Sequence, residues 1–224
     1  MTGPIEMFVP HMYREPDADW VVELMVRNPL ALLITNGSES DGPYATHLPV
    51  ILDPAMGDDR PADLVGATLF GHMNRANPQW RSLRSGMPVV LSFSGPHAYV
   101  SPCVYRTTPA APTWNFAAVQ VRGVLHEIES GAATLQVVTA TVRALEAEFG
   151  DNWNMSDSLD YFREILPGVG AFRIAVTDAR GMFKMSQEQD VEIQDRVWRH
   201  FASSESTRHR ETAEYMKRIS RNHR

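Results

Sequence analysis

Six short apolar runs, most of them bounded by turn-forming residues, constrain the fold of this chain more than any other feature of its sequence. The runs are rich in β-branched residues, and Gly, Pro, Asn or Asp stands at most of their ends. They lie at residues 30–35, 44–52, 67–72, 89–94, 114–128 and 172–176. Runs of this length and composition are typical of β-strands, and several of them in one chain favour a barrel or a sandwich.

Helical periodicity occurs outside these runs. Residues 17–25 predict a helix, because apolar residues recur four positions apart, as at Trp20 and Leu24. Further helices are predicted at residues 134–149 and 159–166, and from residue 190 onward with an interruption near Ser203. The helix at 134–149 is expected to bury one apolar stripe: Leu135, Val138, Val142, Leu145 and Phe149. The chain is therefore predicted to be mainly β with α, an all-β core carrying helices at its ends.

Charge and composition exclude several classes of protein. A formal net charge of −6 gives the whole chain no attraction to nucleic-acid phosphates or anionic lipid. The single cysteine, Cys103, excludes a disulfide framework and a cysteine-rich zinc site, and we expect it to be a buried, inert thiol. The first residues do not form a secretory signal, and no apolar run approaches the ~20 residues of a membrane span. We expect a cytoplasmic protein that binds neither nucleic acid nor membrane.

Four segments carry polar and aromatic residues that a plain barrel does not require. They contain His47, His72 with Arg75, His97, and Trp114. A neutral imidazole such as that of His72 can coordinate iron, and an arginine such as Arg75 can bind a carboxylate or phosphate. The alternatives are structural: His47 as a half-buried strand residue, Arg75 in a surface salt bridge, residues 95–96 and 101–102 as turns, and Trp114 as a packed aromatic. The residues alone predict a β-barrel with an anion-and-histidine pocket.

The residues of these segments, and the order of the segments in the chain, resemble the PaiB-type family. The motifs run in family order from about Met7 to Gln189. They are Met7-Phe8-Val9-Pro10, Asn28-Pro29, Ala45-Thr46-His47-Leu48-Pro49, Gly71-His72, Asn74-Arg75-Ala76-Asn77-Pro78-Gln79-Trp80, Gly95-Pro96-His97-Ala98-Tyr99-Val100-Ser101-Pro102, Pro112-Thr113-Trp114-Asn115 and Phe183-Lys184-Met185-Ser186-Gln187. The resemblance implies a single split β-barrel domain over residues 1–224, with a core at about 7–189 and a C-terminal helical extension at 190–224. It also implies a homodimer with the cofactor at the subunit interface.

Departures from the usual PaiB pattern are similar to the haem-dependent piperazate synthases of the KtzT type. Ser101-Pro102-Cys103-Val104-Tyr105 replaces an aromatic-rich segment, and Ser186-Gln187-Glu188-Gln189 lacks the usual arginine, which removes a cation from the flavin phosphate site. This resemblance implies haem b as cofactor and the dehydrative cyclisation of N5-hydroxy-L-ornithine to L-piperazic acid. The alternatives are an FMN-binding oxidoreductase or PaiB-like negative transcriptional regulator, a haem-degrading or haem-storing protein, and a DNA-binding regulator.

The resemblance also implies roles for individual residues. His72 is expected to be the proximal iron ligand, with its second ring nitrogen donating to a carbonyl or carboxylate. Six further residues are expected to bind the cofactor: Asn74, Arg75, His47, His97, Trp114 and Arg173. Candidates for catalytic proton handling are Lys184, Tyr99, Ser101 and Thr113, with ordinary hydrogen bonding as their alternative role. To act as a base, Lys184 requires a depressed pKa, which burial beside another cation can provide.

Overall fold

A closed antiparallel β-barrel forms the core of the computed structural model, which describes residues 7–37, 42–57, 61–129, 131–151 and 153–222. Within those ranges the strands are β1 (Leu30–Thr35), β2 (Tyr44–Leu52), β3 (Thr68–Asn74), β4 (Met87–Val100), β5 (Thr113–Ile128) and β6 (Val169–Lys184). The strand order is β1-β2-β3-β6-β5-β4, and the β1–β4 pair closes the barrel. The predicted mainly β fold, a split β-barrel with peripheral helices and a C-terminal helical segment, is confirmed.

Alternating strand positions fill the barrel with apolar side chains. Phe93 on β4, Leu125 on β5 and Phe172 on β6 are fully buried. Because successive strand residues point to opposite faces, the positions between the buried ones lie on the outer surface. This alternation places most of the polar residues noted in the sequence outside the barrel.

Seven helices surround the barrel in the described ranges: α1 (Ala18–Arg27), α2 (Pro78–Ser82), α3 (Pro102–Tyr105), α4 (Gly131–Phe149), α5 (Leu159–Ile165), α6 (Val191–Ala202) and α7 (Thr207–Asn222). The helices expected from periodicity are all present. The short helices α2 and α3 are not predicted, because four or five residues cannot show a period. Their signal is the capping pair that begins each one, Asn77-Pro78 and Ser101-Pro102, in which a side-chain oxygen precedes a proline at the first helical position.

The expected apolar stripe of α4 is only partly right. Its predicted members are at most half-buried, and Phe149 is 56% exposed. The buried face instead includes Val137 and three threonines. Two of these, Thr139 and Thr141, donate their hydroxyls to the carbonyls of Leu135 and Val137, so their burial leaves no donor unsatisfied.

Strand β4 continues through the Gly95-Pro96 segment that resembles a turn in the sequence. The β4–β5 register shifts between Ser94 and His97, which identifies a β-bulge. A proline lacks the N–H that a regular ladder requires, and a bulge accommodates it. Gly95 also lets α1 approach, since a Cβ there would lie 3.0 Å from Leu24 Cδ1. The bulge turns His97 and Tyr99 outward at the far end of the strand.

The basic C-terminal segment is a packed helix. Tyr215, Met216 and Ile219 of α7 are buried, and the Tyr215 ring packs against Trp20 of α1 and Phe183 of β6. Residues 223 and 224 of that segment lie outside the described residues. No described helix has both the length and the apolar character that crossing a bilayer demands.

The expectation of a buried thiol at Cys103 is wrong. Cys103 is exposed at the start of α3, where its backbone N–H donates to the Ser101 side chain. The short helix turns its second residue to solvent and buries Tyr105 instead.

Candidate functional site

His72 lies on the outer face of β3. Its strand neighbours Gly71 and Met73 are buried, so His72 points away from the barrel interior. The β3–β6 register places His72 opposite Ala171 and Phe70 opposite Arg173. The outer face of β3 and β6 therefore brings His72 and Arg173 into adjacent rows, as two of the predicted cofactor-binding residues.

The imidazole of His72 is half-buried, and one of its two ring nitrogens makes no hydrogen bond to the described residues. Burial lowers its pKa from the usual value, so the ring is neutral at neutral pH. Its Nδ1 atom is buried and has no hydrogen-bond partner among the described residues. The expected bond from a ring nitrogen to a carbonyl or carboxylate is therefore not found at Nδ1. A buried imidazole nitrogen without a protein partner calls for an explanation, and a bound ion or a hydrogen-bonding ligand is one of them.

Arg75 is fixed beside this face. Its Nε donates to the Val169 carbonyl over 2.9 Å, and its guanidinium carbon lies 5.1 Å from the centroid of the Trp80 ring. It makes no ion pair with any described residue. A guanidinium held by one carbonyl and one ring keeps its terminal N–H groups for an anion.

A cavity of about 560 Å³ lies between α4 and the outer face of β3, β5 and β6. Phe70, His126 and Arg173 form its strand wall, and Gln136 and Val137 form its helix wall. Its volume is in the range of small-molecule and cofactor sites. Three acidic residues also line it: Asp53, Glu127 and Glu129. An anionic group of a ligand is therefore favoured only on the Arg173 side.

Asn74 has a structural role in a turn, and His47 is exposed to solvent. The Asn74 side chain accepts a hydrogen bond from the Ala76 N–H over 2.8 Å, which shapes the turn after β3. His47 pairs with Leu32 on the outer face of β2, where it is exposed. The half-buried structural reading of His47 is therefore wrong, and its ring faces solvent in this chain.

A second group of predicted residues lies at the other end of β4, β5 and β6. The register places His97 opposite Phe116 and Tyr99 opposite Trp114. The Trp114 ring centroid is 5.5 Å from that of His97 and 6.0 Å from that of Tyr99. Trp114 is 50% exposed, so it forms an open aromatic surface rather than a packed contact.

Lys184 and Thr113 adjoin this surface. Lys184 Nζ donates to Thr113 Oγ1 over 2.5 Å and lies 5.6 Å from the centroid of the Tyr13 ring. Ser101 is the N-cap of α3 and accepts a bond from the Cys103 N–H. All four predicted proton-handling residues therefore lie in one region, although Ser101 already has a structural role there.

Three residues of this second region are absent from the sequence-based prediction. Burial raises the pKa of Tyr13 to about 12, helped by the charge of Glu188 and a hydrogen bond to it. Burial also raises the pKa of Tyr105, with further contributions from Glu188 and Tyr99. The Tyr105 hydroxyl is buried without a partner among the described residues. These residues come from the N-terminal segment, α3 and the loop after β6, and no local pattern brings such distant segments together.

The two regions are far apart within one chain. Arg173 and Lys184 both lie on β6, 11 residues apart, which is about 36 Å along the strand at ~3.3 Å per residue. The first region comprises His72, Asn74, Arg75 and Arg173. The second comprises His97, Tyr99, Ser101, Thr113, Trp114 and Lys184. A single chain does not bring the two groups around one small ligand.

Several other motif residues hold the fold. Gln79 is fully buried and donates to the Leu33 carbonyl and the Thr35 hydroxyl. Asn77 caps α2 and donates to Thr46. In the described ranges, no three histidine, cysteine or acidic side chains come together as a multi-ligand metal centre. A haem needs only one such protein ligand, and His72 fits that requirement by its neutrality and its unpaired nitrogen.

Relatives and solved structures agree with this architecture. A protein of Bacillus subtilis (strain 168), "Protease synthase and sporulation protein PAI 2", is 28% identical over 94% of this chain and 96% of its own length. The "FAD and Heme binding protein" from Mycobacterium smegmatis is 16% identical with a TM-score of 0.54, covering 82% of this chain and 78% of that one. The flavocytochrome Anf3 from Azotobacter vinelandii is 14% identical with a TM-score of 0.54, covering 85% and 78%. At these identities the two structures show a shared fold alone.

The family itself is established by sequence. Residues 7–178, more than half of the chain, match the family described as "Putative FMN-binding domain". The matched residues include β1 to β5, the first part of β6, the His72 region and Trp114. The chain therefore belongs to this PaiB-type family of FMN-binding split barrels.

Proposed function

We propose that this protein is a haem-dependent cyclase that converts N5-hydroxy-L-ornithine to L-piperazic acid. The observation that carries the proposal is His72, a half-buried, neutral imidazole whose Nδ1 has no partner among the described residues. Such a histidine would suit the single protein ligand that a haem iron needs. The resemblance of the Ser101–Tyr105 and Ser186–Gln189 segments to piperazate synthases supplies the reaction. Two structures of the same fold come from proteins described as a haem-binding protein and a flavocytochrome, so the barrel is compatible with haem.

The reaction balances without an external oxidant or reductant. The α-ammonium group loses a proton, its nitrogen forms a bond to N5, and the N5–O bond breaks. A second proton leaves the new N–N unit and joins the departing hydroxide as water. When bound, haem supplies a Lewis-acidic iron that weakens the N–O bond of the hydroxylamine.

The residues of the chain provide binding and proton handling. His72 holds the iron, and Arg173 or Arg75 takes a propionate or the substrate carboxylate. Tyr99, Ser101 and Thr113 provide hydroxyl groups that can accept and return the protons of the α-amine, and Lys184 provides an ammonium group beside Thr113. Holding the amine next to N5 makes the attack intramolecular, an effect that can contribute on the order of 7 kcal/mol or more.

A complete site requires a second copy of the chain. The His72 region and the Lys184 region are separated along β6, so both act on one ligand only if they come from different subunits. The outer face of β1 offers an apolar surface for such a homodimer. Leu30 is 61% exposed, and Leu32 and Ile34 share its face. In Leu32→Arg, a dimer held by this face is expected to dissociate in sedimentation experiments, whereas Val65→Arg on an exposed loop leaves it intact.

FMN binding is the second candidate, because the family is named for it. The observation that favours it is Arg75, whose terminal N–H groups remain available for a phosphate beside the barrel. Under this alternative His72 is structural, and the protein is an oxidoreductase or a flavin-binding regulator.

The deciding experiment is an absorption spectrum of protein from cells supplied with iron and a haem precursor, before and after dithionite. A Soret band that shifts on reduction, is lost in His72→Ala and is retained in His200→Ala supports the proposal. His200 is exposed on α6, outside both regions. Haem-loaded protein should then remove one water from N5-hydroxy-L-ornithine, as detected by mass spectrometry. A flavin spectrum without a Soret band would reject the cyclase in favour of the FMN candidate.

A further inference from the structure

Lys184 is a half-buried cation whose protein partners are uncharged. Its ammonium group donates to Thr113 Oγ1 and lies over the Tyr13 ring. No carboxylate of the described residues is within 4.0 Å of Nζ. A charge withdrawn from water without a counter-ion is unfavourable, and buried cations are ordinarily paired. No carboxylate of the part of the chain that the structure describes therefore balances this charge by direct contact.

Tyr13 does not supply that anion. Burial and the neighbouring Glu188 carboxylate hold the pKa of its phenol at about 12, so the ring remains neutral. Its hydroxyl is directed to Glu188, and its π face is directed to Lys184. The ring orients the ammonium by a cation–π contact and leaves the ammonium's remaining N–H groups free.

Thr113 adds a second donor at the same point. Its oxygen accepts from Lys184, so its own hydroxyl hydrogen is available to a ligand. An anionic oxygen placed here receives one bond from the ammonium and one from the hydroxyl. The two charge-assisted bonds converge from neighbouring strands, β5 and β6.

The aromatic surface next to Thr113 suits the apolar part of the same ligand. Trp114 follows Thr113 in β5 and is 50% exposed, and its cross-strand partner Tyr99 is 47% exposed. Large aromatic rings so exposed beside a cation are typical of binding sites. Lys184 pairs with Phe116, two residues after Trp114 in β5, so Lys184 and Trp114 both occupy outward-facing strand positions.

We propose that Lys184, Thr113 and Tyr13 form a subsite for one anionic group, a carboxylate or a phosphate, of a ligand whose apolar part lies on Trp114 and Tyr99. In the proposed cyclase this group is the substrate α-carboxylate, and only that assignment rests on the proposed function. Lys184 is then an ammonium anchor and not a base. The contacts of Lys184 in the described residues, Thr113 and Tyr13, hold an ammonium group in place by a hydrogen bond and a cation–π contact.

The test uses three pairs of ligands that differ only in the anionic group: FMN and riboflavin, haemin and its dimethyl ester, and N5-hydroxy-L-ornithine and its α-carboxamide. Calorimetric titration of the full chain gives the affinity ratio within each pair. For the pair whose anionic group occupies the subsite, the wild type should bind the anionic member more tightly than the neutral member, on the order of 10- to 100-fold. Lys184→Met should bring that ratio to about one without weakening the neutral member, and Lys184→Arg should retain part of it.

The sequence contains one other lysine, Lys217, which lies over the Trp198 ring and provides the matched control. Lys217→Met should leave every ratio unchanged, and thermal unfolding of Lys184→Met should match that of the wild type. A response of the ornithine pair identifies the anion as the substrate carboxylate. A response of the flavin or haem pair supports the subsite but assigns it to a phosphate or a propionate. Ratios that are the same in Lys184→Met and the wild type for all three pairs would overturn the subsite.

Discussion

Asn115 and Ser186 exchange two hydrogen bonds across 71 residues of chain. The amide nitrogen of Asn115 donates to the Ser186 hydroxyl over 2.9 Å, and that hydroxyl donates to the amide oxygen over 3.1 Å. Both residues are fully buried, and Ser186 adopts a positive φ of 67°. The pair joins β5 to the turn between β6 and α6. Two motifs of the family resemblance, Pro112-Thr113-Trp114-Asn115 and Phe183-Lys184-Met185-Ser186-Gln187, therefore meet in a structural contact.

Removal of either partner should destabilise the fold. Asn115→Ala leaves a buried hydroxyl without its partner, and Ser186→Ala leaves a buried amide, so each should lower the free energy of unfolding by about 1–3 kcal/mol. Because both variants break the same contact, the double variant should lose less than the sum of the two. Urea unfolding of the four proteins measures the coupling. Additive losses would show that the two side chains do not support each other.

Gly170 should resist substitution because the Trp80 ring lies against its backbone. A Cβ at residue 170 would stand 2.5 Å from two atoms of that ring, whereas a Cβ at Gly168 would meet nothing within 4 Å. Overpacking of this kind costs about 1–3 kcal/mol. We expect Gly170→Ala to lower the thermal midpoint and Gly168→Ala to leave it nearly unchanged. Equal midpoints for the two variants would mean that Trp80 moves aside without cost.

Local sequence patterns predict most of the barrel for a physical reason. Strand alternation and turn residues act over a few positions, so β1, β2, β3 and β5 appear at nearly their observed bounds. The extension of β4 past Gly95-Pro96 is missed, because a bulge depends on the neighbouring strand and on the approach of Leu24. The continuation of β6 to Lys184 is missed in the same way, since pairing with β5 carries it beyond its apolar run.

For the candidate sites too, local motifs predict some of the residues, and tertiary contacts decide the rest. A resemblance of motifs selects His72 and Lys184, but it cannot show that His72 on β3 pairs with one end of β6 while Lys184 lies at the other end. Nor can it separate Gln79, which holds the barrel together through Leu33 and Thr35, from Arg75 four residues away, whose terminal N–H groups are available to a ligand. The sequence does not predict Tyr13 and Glu188 as site residues, because their contact joins the N-terminal segment to the loop after β6. Tertiary contacts of this range leave no local period.

Arg218 should be replaceable by lysine only at a loss. Its two terminal nitrogens bind the two oxygens of Glu23 at 2.9 and 2.7 Å, and its guanidinium lies 4.2 Å from the Trp20 ring centroid. These two parallel hydrogen bonds join α7 to α1, and a lysine ammonium cannot form both of them in the same geometry. Arg218 is 35% exposed, so solvent screening limits the loss from Arg218→Lys to about 1 kcal/mol. Arg163→Lys, whose pair with Asp160 is 57% and 98% exposed, should leave the urea midpoint unchanged.

His72 should make the fold less stable in mild acid. Burial lowers its pKa in the folded state below the value of about 6.5 that it has in the unfolded chain. The unfolded chain therefore binds a proton at a pH where the folded protein does not, and acid favours unfolding. The stability that the neutral ring provides is complete above pH ~6.5 and is lost as the pH falls toward the folded-state pKa, by up to about 1.4 kcal/mol per pH unit.

Substitution of His72 by a residue that does not titrate should remove this dependence. The difference in unfolding free energy between the wild type and His72→Gln, measured in urea, should move against the wild type as the pH is lowered from about 7 to about 5. The imidazole resonances of His72 should titrate with a midpoint below ~6.5 in the same range. Parallel pH profiles for the two proteins, or a midpoint at or above the unfolded value, would mean that burial does not hold this ring in its neutral form. The nitrogen proposed to bind iron would then be protonated in mild acid.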